Sequence, residues 1–183
     1  MTRSPTPDML AAAAGRTVPD VVAPRLDVLF CGINPGLWSA AVGHHFARPG
    51  NRFWRVLHEA GFTPELLGPS EDRRLLEYGF GVTNLVRRSS AGAAELTRDE
   101  LREGARSLGE TTATFEPRLV AVLGMGAFRV AFGQPKATLG EQPWELSGAG
   151  LWLLPNPSGL QARYQLADLV EQFGKLRVAS QAR

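Results

Sequence analysis

The tightest constraint on this chain is the way an apolar run near its start comes to an end. Val28, Leu29 and Phe30 form a continuous apolar stretch, the mark of a strand covered on both faces, and it gives way at once to Gly32-Ile33-Asn34-Pro35-Gly36. Two glycines and a proline are expected to force a sharp turn where an α/β sheet presents its ligand site. An asparagine sits inside that turn. Trp38, His44, His45, Phe46 and Arg48 follow directly, rich chemistry for a loop that should face solvent. The turn reads as the floor of a pocket.

The remaining pattern extends this to a whole domain. Residues 1–23 lack sustained periodicity and are expected to form a flexible N-terminal tail with a brief helix at 7–14, leaving 24–183 as the folded domain. Asn51 reads as a helix cap ahead of Phe53, Trp54, Leu57 and Ala60, which repeat at helical spacing until Gly61. A short helix is expected around 71–78, a strand over 80–86, and a basic loop at Arg87-Arg88-Ser89-Ser90. Thr97 with Glu100 makes a capping box for a helix that Pro117 ends. A third strand at 119–124 leads into a helix at 125–132, and a Gly/Pro-rich stretch at 133–148 allows a hairpin. The fourth strand, 151–154, breaks into Pro155-Asn156-Pro157-Ser158-Gly159-Leu160, and a helix over 164–178 closes the chain. Strands alternating with helices specify an α/β fold: a single three-layer α/β/α domain with a four-stranded, largely parallel central sheet.

Composition removes several classes of function. Hydrophobic residues at 44% and charged ones at 21% are ordinary globular values, and 183 residues suffice for one core. Cys31 is the only cysteine, which excludes an intramolecular disulfide and a cysteine-ligated iron–sulfur cluster and makes a cysteine-built zinc site implausible. No apolar run approaches the ~20 residues of a membrane span, so a soluble, cytoplasmic protein with no membrane partner is expected. His44, His45 and His58 form no HExxH motif, no G-x-S-x-G elbow exists, and no Walker ending follows Gly36. Gly124-Met125-Gly126 lacks the third glycine of a dinucleotide fingerprint, Arg129 standing in its place; close strand-to-helix packing accounts for the pair. No metal and no cofactor are expected.

What remains suits nucleic acid. Phe53 and Trp54 lie on a helical face and belong to the core, whereas Phe46 has no periodicity to bury it and could stack on a base for ~1–3 kcal/mol. Arg48, Arg52 and Arg55 follow the first turn, and Arg87, Arg88 and Arg163 stand on the other two strand-end loops. The net charge is only +2, but this places positive charge on the ligand edge, as a phosphate backbone requires.

The pair Gly-Ile-Asn-Pro-Gly (32–36) and Asn-Pro-Ser-Gly-Leu (156–160) closely resembles the mismatch-specific uracil-DNA glycosylases, relatives of thymine-DNA glycosylase in the uracil-DNA glycosylase superfamily. The likeness covers 26–178 and includes GINPGL, GHHFARPGNRFW, GVTNLV, VLG and LPNPSGL in order. It implies the uracil-DNA glycosylase fold and a DNA repair glycosylase; base flipping needs no symmetry, so a monomer is expected. Its partner would be double-stranded DNA carrying a G·U or related mismatch, from which a flipped base is hydrolysed to leave an abasic site.

Carried over residue by residue, the resemblance makes Asn34 the catalytic residue that orients water. Phe46 is then the ring that stacks on the base, and the backbone from Ile33 to Gly36 helps read the pyrimidine. Ser39 borders the C5 side. Leu160 is the wedge, with Asn156, Pro157, Ser158 and Gly159 forming its turn toward the DNA backbone, and Arg163 nearby. Asn84 either reads the Watson–Crick edge or serves as a structural cap, and both remain open. An amide has no useful pKa and cannot act as a base, so slow chemistry on bases that leave or unpair easily is expected: uracil, ethenocytosine, and thymine if Ser39 leaves room. Carboxylates such as Glu95 have no motif support. A non-catalytic DNA-damage binder or a nucleotide-binding α/β module is the alternative of another class.

Overall fold

Residues 4–160 and 163–182 are described by a computed structural model of the chain. Strands β1 (Val28–Gly32), β2 (Phe80–Asn84), β3 (Leu119–Leu123), β4 (Gly140–Leu146) and β5 (Ala149–Leu154) form one sheet in the order β2-β1-β3-β5-β4. Every neighbouring pair is parallel except β4 with β5. The expected four-stranded sheet is therefore five-stranded. The fifth strand is the hairpin partner allowed at 133–148, which the mixed burial of Gly140–Leu146 kept from reading as a strand.

The continuous apolar runs follow from cover on both faces. Val28 and Phe30 of β1 join one core cluster and Leu29 and Cys31 the other; in β3, Ala121 and Leu123 oppose Val120 and Val122 in the same way. One face packs against α3 (Phe53–Glu59) and α6 (Leu166–Ala182), the other against α4 (Arg98–Phe115) and α5 (Met125–Ala131). Phe30 centres the first cluster, with the rings of Phe53, Phe62 and Phe80 edge-on at 5.6, 5.3 and 6.4 Å and that of Phe173 stacked at 6.1 Å. Each such buried ring contributes ~1.5–3 kcal/mol. The result is the three-layer α/β/α sandwich expected.

Local signals set the helix ends. Thr97 Oγ1 accepts from Glu100 N while Glu100 accepts from Thr97 N, closing the capping box. Asn51, expected as the cap of α3, stands one residue ahead of it: the cap position is Arg52, which makes no side-chain cap bond, while Asn51 Oδ1 accepts from Phe53 N at 2.9 Å. A 3₁₀ helix (Pro69–Tyr78) stands where a short helix was expected at 71–78.

Two segments depart from expectation, and both serve the strand-end loops. A helix, α2 (Leu37–Val42), occupies part of the stretch read as open loop. Residues 4–23, expected as a tail outside the domain, lie against it. Thr6 caps α1 (Pro7–Ala11), Ala13 is fully buried, and Val21 pairs antiparallel with Val82. The apolar residues that anchor this segment are single and widely spaced, so they leave no periodic signal. Residues 1–3 of the expected tail lie outside the described residues.

Candidate active site

A cleft of about 240 Å³ opens at the carboxyl ends of β1, β2 and β5. Its floor is the turn after β1. The pairing of β1 with β2 reaches Gly32 opposite Asn84 and continues through hydrogen bonds from Leu85 N to Gly32 O and Val86 N to Ile33 O. Ser90 N then donates to Pro35 O, which clamps the turn to the loop after β2. Gly36 has φ −72°, open to any residue, and Gly32 is not left-handed either. Pro35 and this clamp shape the turn, and conformational freedom of glycine does not.

Asn34 is fixed by that clamp. Its Nδ2 donates to Arg88 O at 3.0 Å and to Ser90 Oγ at 2.8 Å. A carbonyl oxygen only accepts, so the contact with Arg88 sets which end of the amide is nitrogen. Ser90 Oγ passes its own hydrogen to Gly92 O at 2.8 Å and so accepts from Asn34. Both amide N–H bonds are committed, and Oδ1 is the group of this cleft-lining side chain that is left to accept a hydrogen bond from water.

One wall is aromatic. Phe46 lines the cleft and stacks on Phe53 with centroids 4.0 Å apart. Its φ of +52° is a left-handed conformation costing ~1–3 kcal/mol, the kind of strain that surrounding structure must hold in place. Ser39 supplies part of that hold: buried beneath the loop, its Oγ accepts from Ala47 N at 3.0 Å.

Beside Phe46 lies Asn84, whose Nδ2 is 3.4 Å from His45 Nδ1, while His45 Nε2 is 2.9 Å from Pro19 O. The open space above Gly32 is what admits both residues. A Cβ there would lie 2.5 Å from Asn84 Oδ1 and 3.3 Å from Phe46 Cζ. Burial pushes the His45 ring below the usual histidine pKa, toward its neutral form. Of the two readings of Asn84, the hydrogen bond it makes is to His45 and caps no helix.

The rim is the 156–160 turn. Asn156 Oδ1 accepts from Ser158 N, and Ser158 Oγ accepts from Leu160 N. Arg52 fastens the turn from below, its guanidinium reaching the carbonyls of Pro157, Ser158 and Tyr164. Leu160 stands 72% exposed at the cleft mouth, where a leucine gains nothing for the fold. Gly159 serves packing, since a Cβ on it would meet Gly50 O at 2.4 Å.

The structure thus gathers Ile33, Asn34, Gly36, Ser39, Phe46, Asn84, Asn156, Ser158 and Leu160 around one cleft. Pro157 is buried, Gly159 faces Gly50, and Arg163, its guanidinium 5.7 Å over the Tyr164 ring, is exposed; none of the three lines the cleft.

The charged edge is sparser than the sequence implied. Arg52 is spent on the rim, Arg55 pairs with Glu59, Arg87 with Asp20, and Arg88 with Glu100. The Arg88 guanidinium and the Thr97 N–H draw the Glu100 carboxyl down to about 2. Among the described residues that line the cleft, Arg48 is the one charged side chain and none is a carboxylate, Glu95 included.

The sequence marks His45 as loop chemistry, Arg52 as charge for a phosphate backbone and Ser90 as part of a basic loop; in the structure they hold Asn84, the rim and Asn34. The signal available was their polarity within segments that the fold buries.

Comparison with known proteins follows the same outline. Residues 19–177 match the model of the Uracil DNA glycosylase superfamily. Among solved structures, the NMR structure of a candidate uracil DNA glycosylase from Methanosarcina acetivorans superposes with a TM-score of 0.58 at 18% identity, covering 89% of this chain and 98% of that one. At that identity the superposition speaks for the fold alone.

Proposed function

This chain belongs to the uracil DNA glycosylase superfamily, and from that premise we propose that it is a monofunctional, mismatch-directed glycosylase. It takes uracil, and related easily released lesions such as ethenocytosine, out of G·U-type double-stranded DNA and leaves an abasic site. The observation that carries this reading is Asn34: an amide with both N–H bonds tied down, offering Oδ1 to a water in a cleft with no carboxylate among its described lining residues.

The residues divide the work as follows. Extruding a base costs a few kcal/mol, and an exposed Leu160 at the mouth is suited to fill the vacated stack. The extruded ring stacks on Phe46, already backed by Phe53. Its polar edge meets Asn84, and its C5 side lies toward Ser39. Asn34 Oδ1 then accepts from the attacking water and faces the positive charge that develops at C1′. An amide dipole orients water without removing its proton, so selectivity rests largely on which bases flip and leave readily.

The test is alkaline strand cleavage of an end-labelled G·U duplex after incubation with the protein. Excision by the wild type, with a loss of ~10²–10³-fold in Asn34→Ala as for removal of one preorganised catalytic dipole, is expected. No cleavage above buffer, or full activity in Asn34→Ala, rules the mechanism out. Tight binding to the duplex with no base release assigns the chain to non-catalytic damage recognition instead.

A further inference from the structure

We propose that His45 is a positioning residue for base selection: its ring, anchored on the Pro19 carbonyl, presents an Nδ1 lone pair that holds the Asn84 amide in the orientation matching uracil and rejects the one matching cytosine. The inference rests on the base-excision reading above and names what sets selectivity at that site.

Pro19 O is a carbonyl 2.9 Å from His45 Nε2, so Nε2 carries the hydrogen. His45 is 2% exposed, and a neutral imidazole has only one N–H, so Nδ1 is an acceptor. Asn84 Nδ2, 3.4 Å from that lone pair, donates to it. Turning the amide over would set Oδ1 against Nδ1, two acceptors facing each other in a buried place. Oδ1 is therefore held on the other side, over Gly32.

Uracil and cytosine differ on their pairing edge in the order of donor and acceptor. Uracil offers an N3–H donor and an O4 acceptor; cytosine offers an N3 acceptor and an N4 donor. With one N–H spent on His45, Asn84 presents an acceptor and a donor in a single order, which pairs with one of these edges and opposes the other. Loss of the restraint frees the amide to suit either base.

The same geometry makes the preference respond to acid. His45 is faced by Asp72, whose Oδ2 lies 3.4 Å from His45 N and 3.1 Å from His44 Nδ1, and by Asp20 and His44. Burial outweighs the two carboxylates and depresses the ring's pKa, so protonation comes below the usual histidine range. A proton on Nδ1 would repel Nδ2 and draw Oδ1, turning the amide over.

The test is binding to non-cleavable duplexes with 2′-fluoroarabino uridine or cytidine opposite an abasic analogue, which removes differences in base pairing. Wild type at pH 8 is expected to prefer uracil, and His45→Phe to lose about tenfold of that preference, the worth of one good hydrogen bond. As the pH is taken from 8 to below the usual histidine range, the preference should fall in wild type and stay flat in His45→Phe. An unchanged uracil-to-cytosine ratio in a folded His45→Phe, or the same acid dependence in both proteins, overturns the proposal. If His45→Phe does not fold, His45→Leu takes its place in the same uracil-to-cytosine comparison. Uracil excision by wild type from a G·U duplex, measured in parallel, separates the outcomes: its absence removes the enzymatic reading, and its presence with an indifferent His45→Phe removes only this one.

Discussion

Ser90→Ala separates the positioning of Asn34 from the chemistry of Asn34. In the wild type the Ser90 hydroxyl, 2% exposed, accepts from Asn34 Nδ2 at 2.8 Å and donates to Gly92 O at 2.8 Å. The alanine removes both bonds but leaves the Arg88 carbonyl, 3.0 Å from Nδ2, to decide which end of the amide is nitrogen. Amide identity should survive, and only its stiffness should fall. One hydrogen bond is worth ~0.5–1.5 kcal/mol net, so the chemical step should slow about 2- to 12-fold. Deleting the amide itself should cost ~10²–10³-fold. Folding should weaken by ~1–3 kcal/mol, because Nδ2 and the Gly92 carbonyl each lose a partner, lowering the melting temperature by several degrees.

The assay is single-turnover excision from a G·U duplex with protein in excess, which isolates chemistry from product release, beside a thermal melt. Ser90→Ala as inactive as Asn34→Ala, while still folded, would mean that Ser90 handles the water itself. An unchanged rate would mean that the amide is not held where the hydrogen bonds place it. Either outcome refutes the reasoning.

Three further outcomes follow from single contacts. Leu160→Ala should leave stability within ~0.5 kcal/mol, because the side chain is 72% exposed, while slowing excision from duplex more than from single strands; equal slowing in a strand-comparison assay counts against the wedge. Gly32→Ala should destabilise by ~1–3 kcal/mol and abolish uracil binding, since its Cβ would overlap Asn84 Oδ1 at 2.5 Å; a urea titration and a binding assay on the same preparation check both. Glu100, held near 2 against an ordinary 4.5, binds fewer protons folded than unfolded. Its contribution to stability is therefore complete above pH 4.5 and fades as pH falls through 2. The wild-type and Glu100→Gln urea midpoints should thus differ near neutrality, converge in acid, and differ less in high salt because the pair with Arg88 is exposed.

What the sequence disclosed and what it withheld divide along distance in the chain. Asn34, Phe46, Asn84 and Leu160 stand at strand ends or in compact loop motifs, where a run of ten residues shows that something other than packing chose them. The groups that hold them act across far larger separations. Asn34 reaches Ser90 over 56 positions, Arg52 reaches Ser158 over 106, and Asn84 reaches His45 over 39. No periodicity or capping pattern records such pairs, so Arg52 read as a phosphate contact and Ser90 as part of a basic loop. Gly32 and Gly36 illustrate the other gap: composition marked both as turn-formers, yet Gly32 is there for the volume that Asn84 and Phe46 occupy. The helix Leu37–Val42 was hidden by its shortness, and β4 by a surface-facing alternation broken by a register shift between Glu141 and Glu145.

The segment ahead of β1 has a consequence for how the cleft comes into being. Gly15 N donates to Ser89 O, Ser89 N to Arg16 O, and the Ser89 hydroxyl to Ala13 O, across 76 positions for the last. Pro19 meets His45, and Asp20 meets Thr83 and Arg87. During synthesis these residues emerge first but wait for strand β2 and the loop after it, closing a circuit whose entropy grows with the length enclosed. The brace around Ser89 is made of loop hydrogen bonds apart from the two large core clusters, so the sheet can stand while the loop under Asn34 still lacks it. Activity should then recover after refolding more slowly than the far-ultraviolet signal of the sheet. A nick between α1 and β1 should silence the cleft while leaving the core signal in place.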